Sequence, residues 1–190
     1  MIYIESIKNY IGNTSEEDLV GLASKIYEIT NFMCNDYPKY EEWYFTKQLP
    51  ATINSNKRNI LFVRNPENNE EIISMACLKK DEEEKKICTI YVSDKYRGLG
   101  IGKAIIEESM KWLGTTKPLI TLTDYKLEMF KPIINKYDWK LTEIVSGLYN
   151  DKFQELCFNG TLAKINDEKL EQQLYKKLIK TLKNRCSQIK

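Results

Sequence analysis

The sequence of 190 residues contains no histidine. This absence excludes Ser-His-Asp and Cys-His nucleophile pairs within the chain, together with metal sites that depend on histidine ligands. Any proton transfer that the chain performs must therefore use tyrosine, cysteine, lysine, a carboxylate or water.

The sequence also lacks long apolar runs and a large excess of either charge. No apolar run approaches the ~20 residues that a membrane helix needs, and the N-terminal segment MIYIESIKNY lacks the basic and apolar regions of a secretory signal. The formal net charge of +2 creates no strong field toward nucleic acids or anionic membranes. We therefore expect a cytoplasmic protein for which neither membranes nor nucleic acids are partners.

The five cysteines form no C-x-x-C pair. An odd and scattered set indicates reduced thiols and argues against a disulfide framework or a zinc site. We expect no bound metal, and we expect Cys77, Cys88 and Cys157 to pack in the core because they lie in apolar, strand-like segments.

The apolar patterns predict the order strand, two helices, three strands, helix, strand, helix, two strands and helix. The first strand is predicted at residues 2–4, and the second helix, residues 40–49, is expected to end at Pro50. Short turns join the three strands between residues 59 and 92, which predicts an antiparallel meander. The strand at residues 119–122 follows a helix and should run parallel to its neighbour. The prediction is an α+β domain over residues 1–160, with a mixed, mostly antiparallel sheet flanked by helices.

Residues 161–190 are predicted to form an additional amphipathic helix. Leucines recur every four residues from Leu170 to Leu182, and residues 164–190 carry eight basic side chains against three acidic ones. Such a helix can pack on its own domain or form a dimer contact, so we expect a monomer or a homodimer. A nucleic-acid arm is the remaining alternative for this basic face.

Residues 87–109 contain a glycine-rich turn between a predicted strand and a predicted helix. The turn reads Arg97-Gly98-Leu99-Gly100-Ile101-Gly102. Glycines before a helix let backbone N–H groups approach a ligand, and the helix dipole favours an anion such as a phosphate. The G-x-G-x-G spacing after a meander does not fit a dinucleotide fingerprint. Gly102-Lys103-Ala104 lacks the hydroxyl that a nucleoside-triphosphate loop supplies to magnesium.

The turn resembles a motif of the GCN5-related N-acetyltransferase (GNAT) family. Arg97-x-x-Gly100-x-Gly102 matches the family's [QR]-x-x-G-x-[GA] motif, and Ile90-Tyr91-Val92 resembles the end of its apolar fourth strand. The predicted order of elements is also similar from about residue 2 to residue 159. The resemblance implies an enzyme that transfers an acetyl group from acetyl-CoA directly to a primary amine of a small molecule or peptide.

The resemblance further implies where acetyl-CoA binds. The fourth and fifth strands would splay into a V, with the pantetheine between them and near Ile90, Tyr91 and Val92. Arg97 would support the turn. The backbone amides of the turn would hold the pyrophosphate; the residues are Gly98, Leu99, Gly100, Ile101, Gly102 and Lys103.

The sequence departs from the family pattern at positions that often carry catalytic residues. Three positions at which family members often carry Tyr, Asn or Glu are occupied here by Ile134, Leu127 and Lys86. Tyr125 and Asp124 are the substitute catalytic candidates, because they follow the fifth strand. The departures also keep open a non-catalytic, acyl-CoA-binding regulatory module.

An aromatic-rich region around the first two helices is the candidate acceptor site. Phe32, Trp43 and Tyr44 are its predicted substrate-binding residues. If these rings line a pocket, they favour an aromatic or cationic small molecule, or a peptide end, over a highly anionic one.

Overall fold

The computed structural model describes residues 2–162, and these residues form a seven-stranded sheet in the order β1-β2-β3-β4-β5-β7-β6. Adjacent strands run antiparallel except β4 and β5, which are parallel. The predicted α+β class and the mostly antiparallel sheet are therefore confirmed. The strands are β1 (Glu5–Ser6), β2 (Arg58–Asn65), β3 (Asn68–Lys80), β4 (Lys85–Val92), β5 (Leu119–Thr123), β6 (Leu141–Ser146) and β7 (Gln154–Phe158).

Helices cover both faces of this sheet. On one face, the helix after the glycine turn buries Ile101, Ile105 and Leu113 against a core that also contains Leu61 and Ile120. On the other face, the first helix and the aromatic segment after it (residues 32–45) pack on Phe62, Met75 and Cys77. The helices are α1 (Glu16–Glu28), α2 (Tyr40–Trp43), α3 (Leu49–Asn54), α4 (Ile101–Leu113) and α5 (Leu127–Lys136).

The first strand lies later in the chain than the sequence predicts. Ile2 and Tyr3 are 37% and 73% exposed, and the residues that pair with β2 are Glu5 and Ser6. Ser6 donates a hydrogen bond to Asn59 Oδ1 at 2.7 Å. High strand propensity in the first residues therefore does not decide which residues enter the ladder; the contact with β2 does.

Pro50 does not end the second helix. A π-helical turn at Tyr44–Gln48 follows α2 and leads directly into α3, where Pro50 occupies the first turn. Proline is tolerated in a first turn because its missing N–H would have no helical partner there. The helical path therefore continues to Asn54.

The predicted C-terminal helix falls on residues 161–190, of which only Thr161 and Leu162 lie within the described residues. Among residues 2–162, no helix has both the length and the apolar character needed to cross a membrane.

Candidate active site

The glycine turn requires glycine at two of its positions for conformational reasons. Gly98 and Gly100 have φ angles of +79° and +81°, in the left-handed region that side chains disfavour. Gly100 is the residue immediately before α4. Gly102 differs, because a Cβ built there would lie 3.6 Å from Val92 Cγ2, an ordinary van der Waals distance.

The turn presents a row of backbone donors. Within the part of the chain that the structure describes, no backbone carbonyl accepts from the N–H groups of residues 98–103, whereas the N–H of Ala104 donates to Gly100. The first N–H groups of α4 lack partners because they have no preceding helical turn. Free donors at a helix N-terminus, with the positive end of the helix dipole, form a site for an anion such as a diphosphate.

Arg97 joins this turn to the end of β4. Its Nε donates to the carbonyl of Val92 at 3.2 Å, and its Nη2 lies 2.7 Å from Asp94 Oδ1. The side chain therefore fixes the entry of the turn against the strand that precedes it.

A wedge opens between β4 and β5. The two strands pair only at Lys86 with Leu119 and at Ile87 with Ile120. Beyond these pairs β4 stays paired with β3 as far as Val92, while β5 pairs with β7. The facing edges of β4 and β5 are therefore unpaired toward their carboxyl ends, on the side where the glycine turn lies. The geometry is the predicted V-shaped splay.

A β-bulge lies at the narrow end of the wedge. Cys77 pairs with Thr89 and Leu78 pairs with Ile87, so Cys88 has no direct partner on β3. A bulge turns the strand and re-aims side chains, and bulges are common beside active sites.

The wedge opens into a cleft of about 1520 Å³. The cleft brings together residues that the sequence analysis assigned to the donor and to the acceptor. The ring of Phe32 contacts that of Tyr91 edge to face, with centroids 5.1 Å apart. Predicted site residues in its wall are Ile90, Tyr91, Arg97, Phe32 and Trp43.

Two groups of predicted residues lie outside this wall. Val92 and residues 98–103 are next to Arg97, in the strand end and the turn. Tyr44 is fully buried, and its hydroxyl donates to the carbonyl of Ala23 at 3.0 Å. Tyr44 is therefore a core residue that does not reach the cleft.

A sequence model of the acetyltransferase (GNAT) family matches residues 23–123, just over half of the chain. The chain belongs to the GNAT family of acetyltransferases. The resemblance inferred from the glycine motif is confirmed.

Solved GNAT acetyltransferases share the fold. An acetyltransferase of the GNAT family from Bacillus cereus ATCC 10987 aligns with a TM-score of 0.56 at 14% identity, over 83% of this chain and 95% of that one. Arabidopsis thaliana NAA60 in complex with acetyl-CoA gives a TM-score of 0.55 at 15% identity, over 83% and 97% of the chains. Arabidopsis thaliana Naa50 in complex with the bisubstrate analogue CoA-Ac-MVNAL gives 0.54 at 13% identity, over 84% and 99%.

The extent of these alignments varies between structures. For two further acetyltransferases the alignment covers 64% and 66% of their own length, which is less than two thirds. No match was found among curated protein sequences.

The GNAT fold places Tyr125 and Asp124 at the end of β5, outside the wall of the cleft. Tyr125 is 56% exposed, and its hydroxyl donates to Asp36. Burial, and then the hydrogen bond to Asp36, raise the pKa of Tyr125 above its usual value. Asp124 is exposed, and its Oδ1 accepts from the N–H of Tyr125 at 2.8 Å.

Of the three departures from the family pattern, only Lys86 lies in the cleft wall. Ile134, on α5, is buried in the same core as the apolar side chains of α4, and Leu127 packs against this core. Ile134 and Leu127 therefore pack in the core, whereas Lys86 places an amine in the wall of the cleft.

Glu155 is a buried carboxylate that the sequence analysis missed. It lies on β7 opposite Thr123 and is only 3% exposed. Its Oε2 has no hydrogen-bond donor among residues 2–162. Burial raises the pKa of Glu155 to about 7, although Tyr37, Lys126 and Lys86 favour its ionised form. The signal in the sequence is a single acid in the segment Gln154–Phe158, where the other interior positions are apolar.

Two tyrosines of the cleft wall lie near this carboxylate. The rings of Tyr37 and Tyr149 meet edge to face with centroids 5.3 Å apart, and both line the cleft. Burial raises the pKa of Tyr37 and of Tyr149. Both phenols are therefore neutral near pH 7, and Tyr37 interacts with the Glu155 carboxyl.

Proposed function

We propose that the protein transfers an acetyl group from acetyl-CoA directly to a primary amine of a small molecule or peptide. The observation that carries this proposal is the row of free backbone N–H groups at the start of α4, at the open end of an unpaired wedge in the sheet. A diphosphate suits the turn, and an extended chain suits the wedge. The solved NAA60 complex with acetyl-CoA supports this choice of donor.

The donor would be held by residues at both ends of the wedge. The amides of Gly98, Leu99, Gly100, Ile101, Gly102 and Lys103 would bind the pyrophosphate, and Arg97 would keep the turn in place. Ile90, Tyr91 and Val92 would contact the pantetheine. N–H groups on the free edge of β4 can polarise the acetyl carbonyl as its oxygen gains charge.

Acetyl-CoA supplies an activated thioester, and the amine nitrogen replaces sulfur at the acetyl carbon. The chain must then accept a proton from the nitrogen and allow the thiolate to gain one. We propose that Glu155 accepts the proton, with Tyr37 as the hydroxyl between this buried carboxylate and the cleft. A carboxyl group with a pKa of about 7 suits a base at neutral pH.

The residues predicted from the sequence keep two further proposed roles. Tyr125, with Asp124 beside it, remains a candidate to protonate the departing thiolate, in which case its hydroxyl must exchange the Asp36 partner for the sulfur. Phe32 and Trp43 line the cleft and are proposed to contact the acceptor. The MVNAL-containing analogue bound to Naa50 supports a peptide end as one acceptor class.

We also propose residues 1–160 as the catalytic domain. The proposal includes a C-terminal helix at residues 161–190, a cytoplasmic location and a monomeric or homodimeric protein.

Two measurements test the proposed function. The first is release of free thiol from acetyl-CoA over a panel of primary amines, with acetylated product identified by mass spectrometry. Binding of acetyl-CoA without thiol release on any amine would instead support the non-catalytic module.

The second measurement tests the glycine turn with a matched pair of variants. Gly100 and Gly12 have similar φ angles, +81° and +77°, and neither has an atom within 4 Å of a built Cβ. Gly100→Val and Gly12→Val should therefore cost similar backbone strain, about 1–2 kcal/mol. Only Gly100→Val should weaken acetyl-CoA binding, by tenfold or more; equal affinity in the two variants would exclude the turn as the donor site.

A further inference from the structure

Lys86 is a buried amine in the wall of the cleft. The residue is 7% exposed and lines the cleft beside the paired ends of β4 and β5. Within residues 2–162, its side chain makes neither a hydrogen bond nor an ion pair, whereas the neighbouring Lys85 donates to Gly114. Buried charges without a partner are costly, so an unpaired one in a cleft is a candidate ligand contact.

None of the groups around Lys86 forms an ion pair with it among residues 2–162. Burial raises the pKa of Tyr149, Cys88 and Cys157, so these neighbours are neutral near pH 7. The Glu84 carboxylate already forms an ion pair with Lys79 at 2.8 Å. Burial alone would lower the pKa of Lys86, but its neighbours raise it above the usual value, and the amine is therefore cationic.

Lys86 and Glu155 lie on one face of the sheet, at opposite ends of β5. Lys86 pairs with Leu119, and Glu155 pairs with Thr123. Paired neighbours share a face, and residues four apart on a strand also share a face, so all four side chains project on one side. The two attachment points are separated along β5 by four residues, roughly 13 Å. Glu155 does not line the cleft, but Tyr37, which interacts with its carboxyl group, does. A small molecule in the cleft can therefore contact Lys86 and the Tyr37 hydroxyl together.

We propose that Lys86 binds a carboxylate of the acceptor, so that the acceptor is an amine that also carries a carboxylate. The inference rests on the proposed function and narrows its substrate class. A free amino acid and a peptide with an acidic second residue both supply this chemistry. The acceptor's amine would point toward Tyr37 and Glu155 while its carboxylate contacts Lys86.

The charge of Lys86 changes the acceptor class that the aromatic residues alone would favour. Phe32 and Trp43 favour aromatic or cationic groups, but a buried ammonium repels an acceptor that carries only positive charge. An acceptor with both an amine and a carboxylate satisfies the aromatic wall and the buried charge together.

The experiment compares acceptors that differ only in the carboxylate. Free amino acids are paired with their carboxamides, and peptides that begin Met-Glu with peptides that begin Met-Gln. For the wild type, the carboxylate member should have a KM lower by tenfold or more, since charge-assisted hydrogen bonds are worth on the order of tenfold to a hundredfold. Preference in the first pair identifies free amino acids; preference in the second identifies acidic peptides.

Variants then locate the effect at Lys86. Lys86→Met should remove the discrimination by raising KM for carboxylate acceptors alone, and Lys86→Arg should restore part of it. Lys39→Met, at an exposed lysine on the rim of the same cleft, controls for loss of one positive charge. Unchanged KM for acetyl-CoA shows that each variant is folded.

Two outcomes would overturn the inference while leaving the proposed function intact. One is equal KM for carboxylate and amide acceptors. The other is a fall in kcat that is the same for every acceptor in Lys86→Met, which would assign the ammonium to the departing thiolate. If no amine is acetylated, the proposed function fails instead. Calorimetric binding of N-acetyl amino acids to the CoA-bound protein then tests Lys86, and equal affinity in wild type and Lys86→Met refutes it.

Discussion

Replacing Glu155 by glutamine should stabilise the protein at alkaline pH and leave its stability almost unchanged in mild acid. The carboxyl group is 3% exposed, and one of its oxygens has no donor among residues 2–162. Glutamine keeps the size of the side chain and removes its charge. The substitution therefore separates the cost of the buried charge from the packing of the residue.

The pKa of Glu155 gives the size of the effect. Burial raises this pKa from 4.5 to about 7. Below pH 4.5 the group is protonated in both the folded and unfolded chains, so it contributes no pH dependence. Between pH 4.5 and 7 only the unfolded chain loses its proton, and the folded state loses about 1.4 kcal/mol per pH unit relative to it. The total is about 3 kcal/mol, fully lost above pH 7.

The assay is urea unfolding of wild type and Glu155→Gln at several pH values between 4.5 and 8. Between pH 4.5 and pH 8 the stability of the variant relative to the wild type should rise by about 3 kcal/mol, which corresponds to roughly 6–12 °C in Tm for a chain of this size. Glu67→Gln, at an exposed turn residue, controls for the substitution of an acid by its amide. A carbon-13 titration of the Glu155 carboxyl group would give its pKa directly.

Parallel curves of stability against pH for the wild type and Glu155→Gln would contradict the raised pKa of Glu155. If wild type and Glu155→Gln differ by a constant amount between pH 4.5 and 8, the carboxyl group titrates alike in the folded and unfolded chains. The constant offset itself carries no weight, because it includes the exchange of an oxygen for an amide nitrogen. The same carboxyl group should also give kcat/KM a rise through pH 7 that Glu155→Gln lacks.

Three further predictions follow from the site. Tyr37→Phe should lower kcat by tenfold or more without changing KM for acetyl-CoA. Tyr125→Phe should lower kcat less, because the Tyr125 hydroxyl is bonded to Asp36 outside the cleft wall; steady-state kinetics of the two variants would test this order. Lys86→Met should leave Tm unchanged or lower it in thermal unfolding without ligand, since the raised pKa of Lys86 means that the folded state favours the charged amine; a rise of several degrees would show instead that the buried charge is a net cost. Gly102→Ala should keep acetyl-CoA affinity within about threefold by calorimetry, since its Cβ would make an ordinary contact.

The glycine turn and the strands before it, which form the proposed donor half of the site, could be predicted from the sequence because their signals are local. Three glycines before a helix define the turn, and the short connections before and after it define which strands are antiparallel or parallel. The residues in the turn therefore follow from spacing alone. The wedge itself follows only from the family resemblance, since the apolar pattern of residues 87–92 does not show where pairing with β5 stops.

The proposed acceptor half could not be predicted because it depends on contacts between distant segments. Tyr37 precedes Glu155 by more than a hundred residues, and the two meet only through the packing of the aromatic segment on the sheet. Tyr44 is the opposite case, because its residue type and position predicted contact with the substrate, whereas its side chain is fully buried in the core. Residue type identifies candidates for the acceptor site, but strand register and the path of the chain decide which of them line it.

Lys86 and Glu155 are two buried ionisable side chains on the same face of the sheet, where packing alone would favour apolar residues. Each is more than nine-tenths buried, and the ionised carboxylate of Glu155 lowers the stability of the protein above pH 7. Lys86 also favours the ionised form of Glu155 without forming an ion pair with it among the described residues. An acceptor with both an amine and a carboxylate would supply a partner to each charge at once. Such a molecule should therefore raise the Tm of the wild type more than an amine or a carboxylate alone at equal concentration, and Lys86→Met should abolish the difference between the zwitterion and the amine.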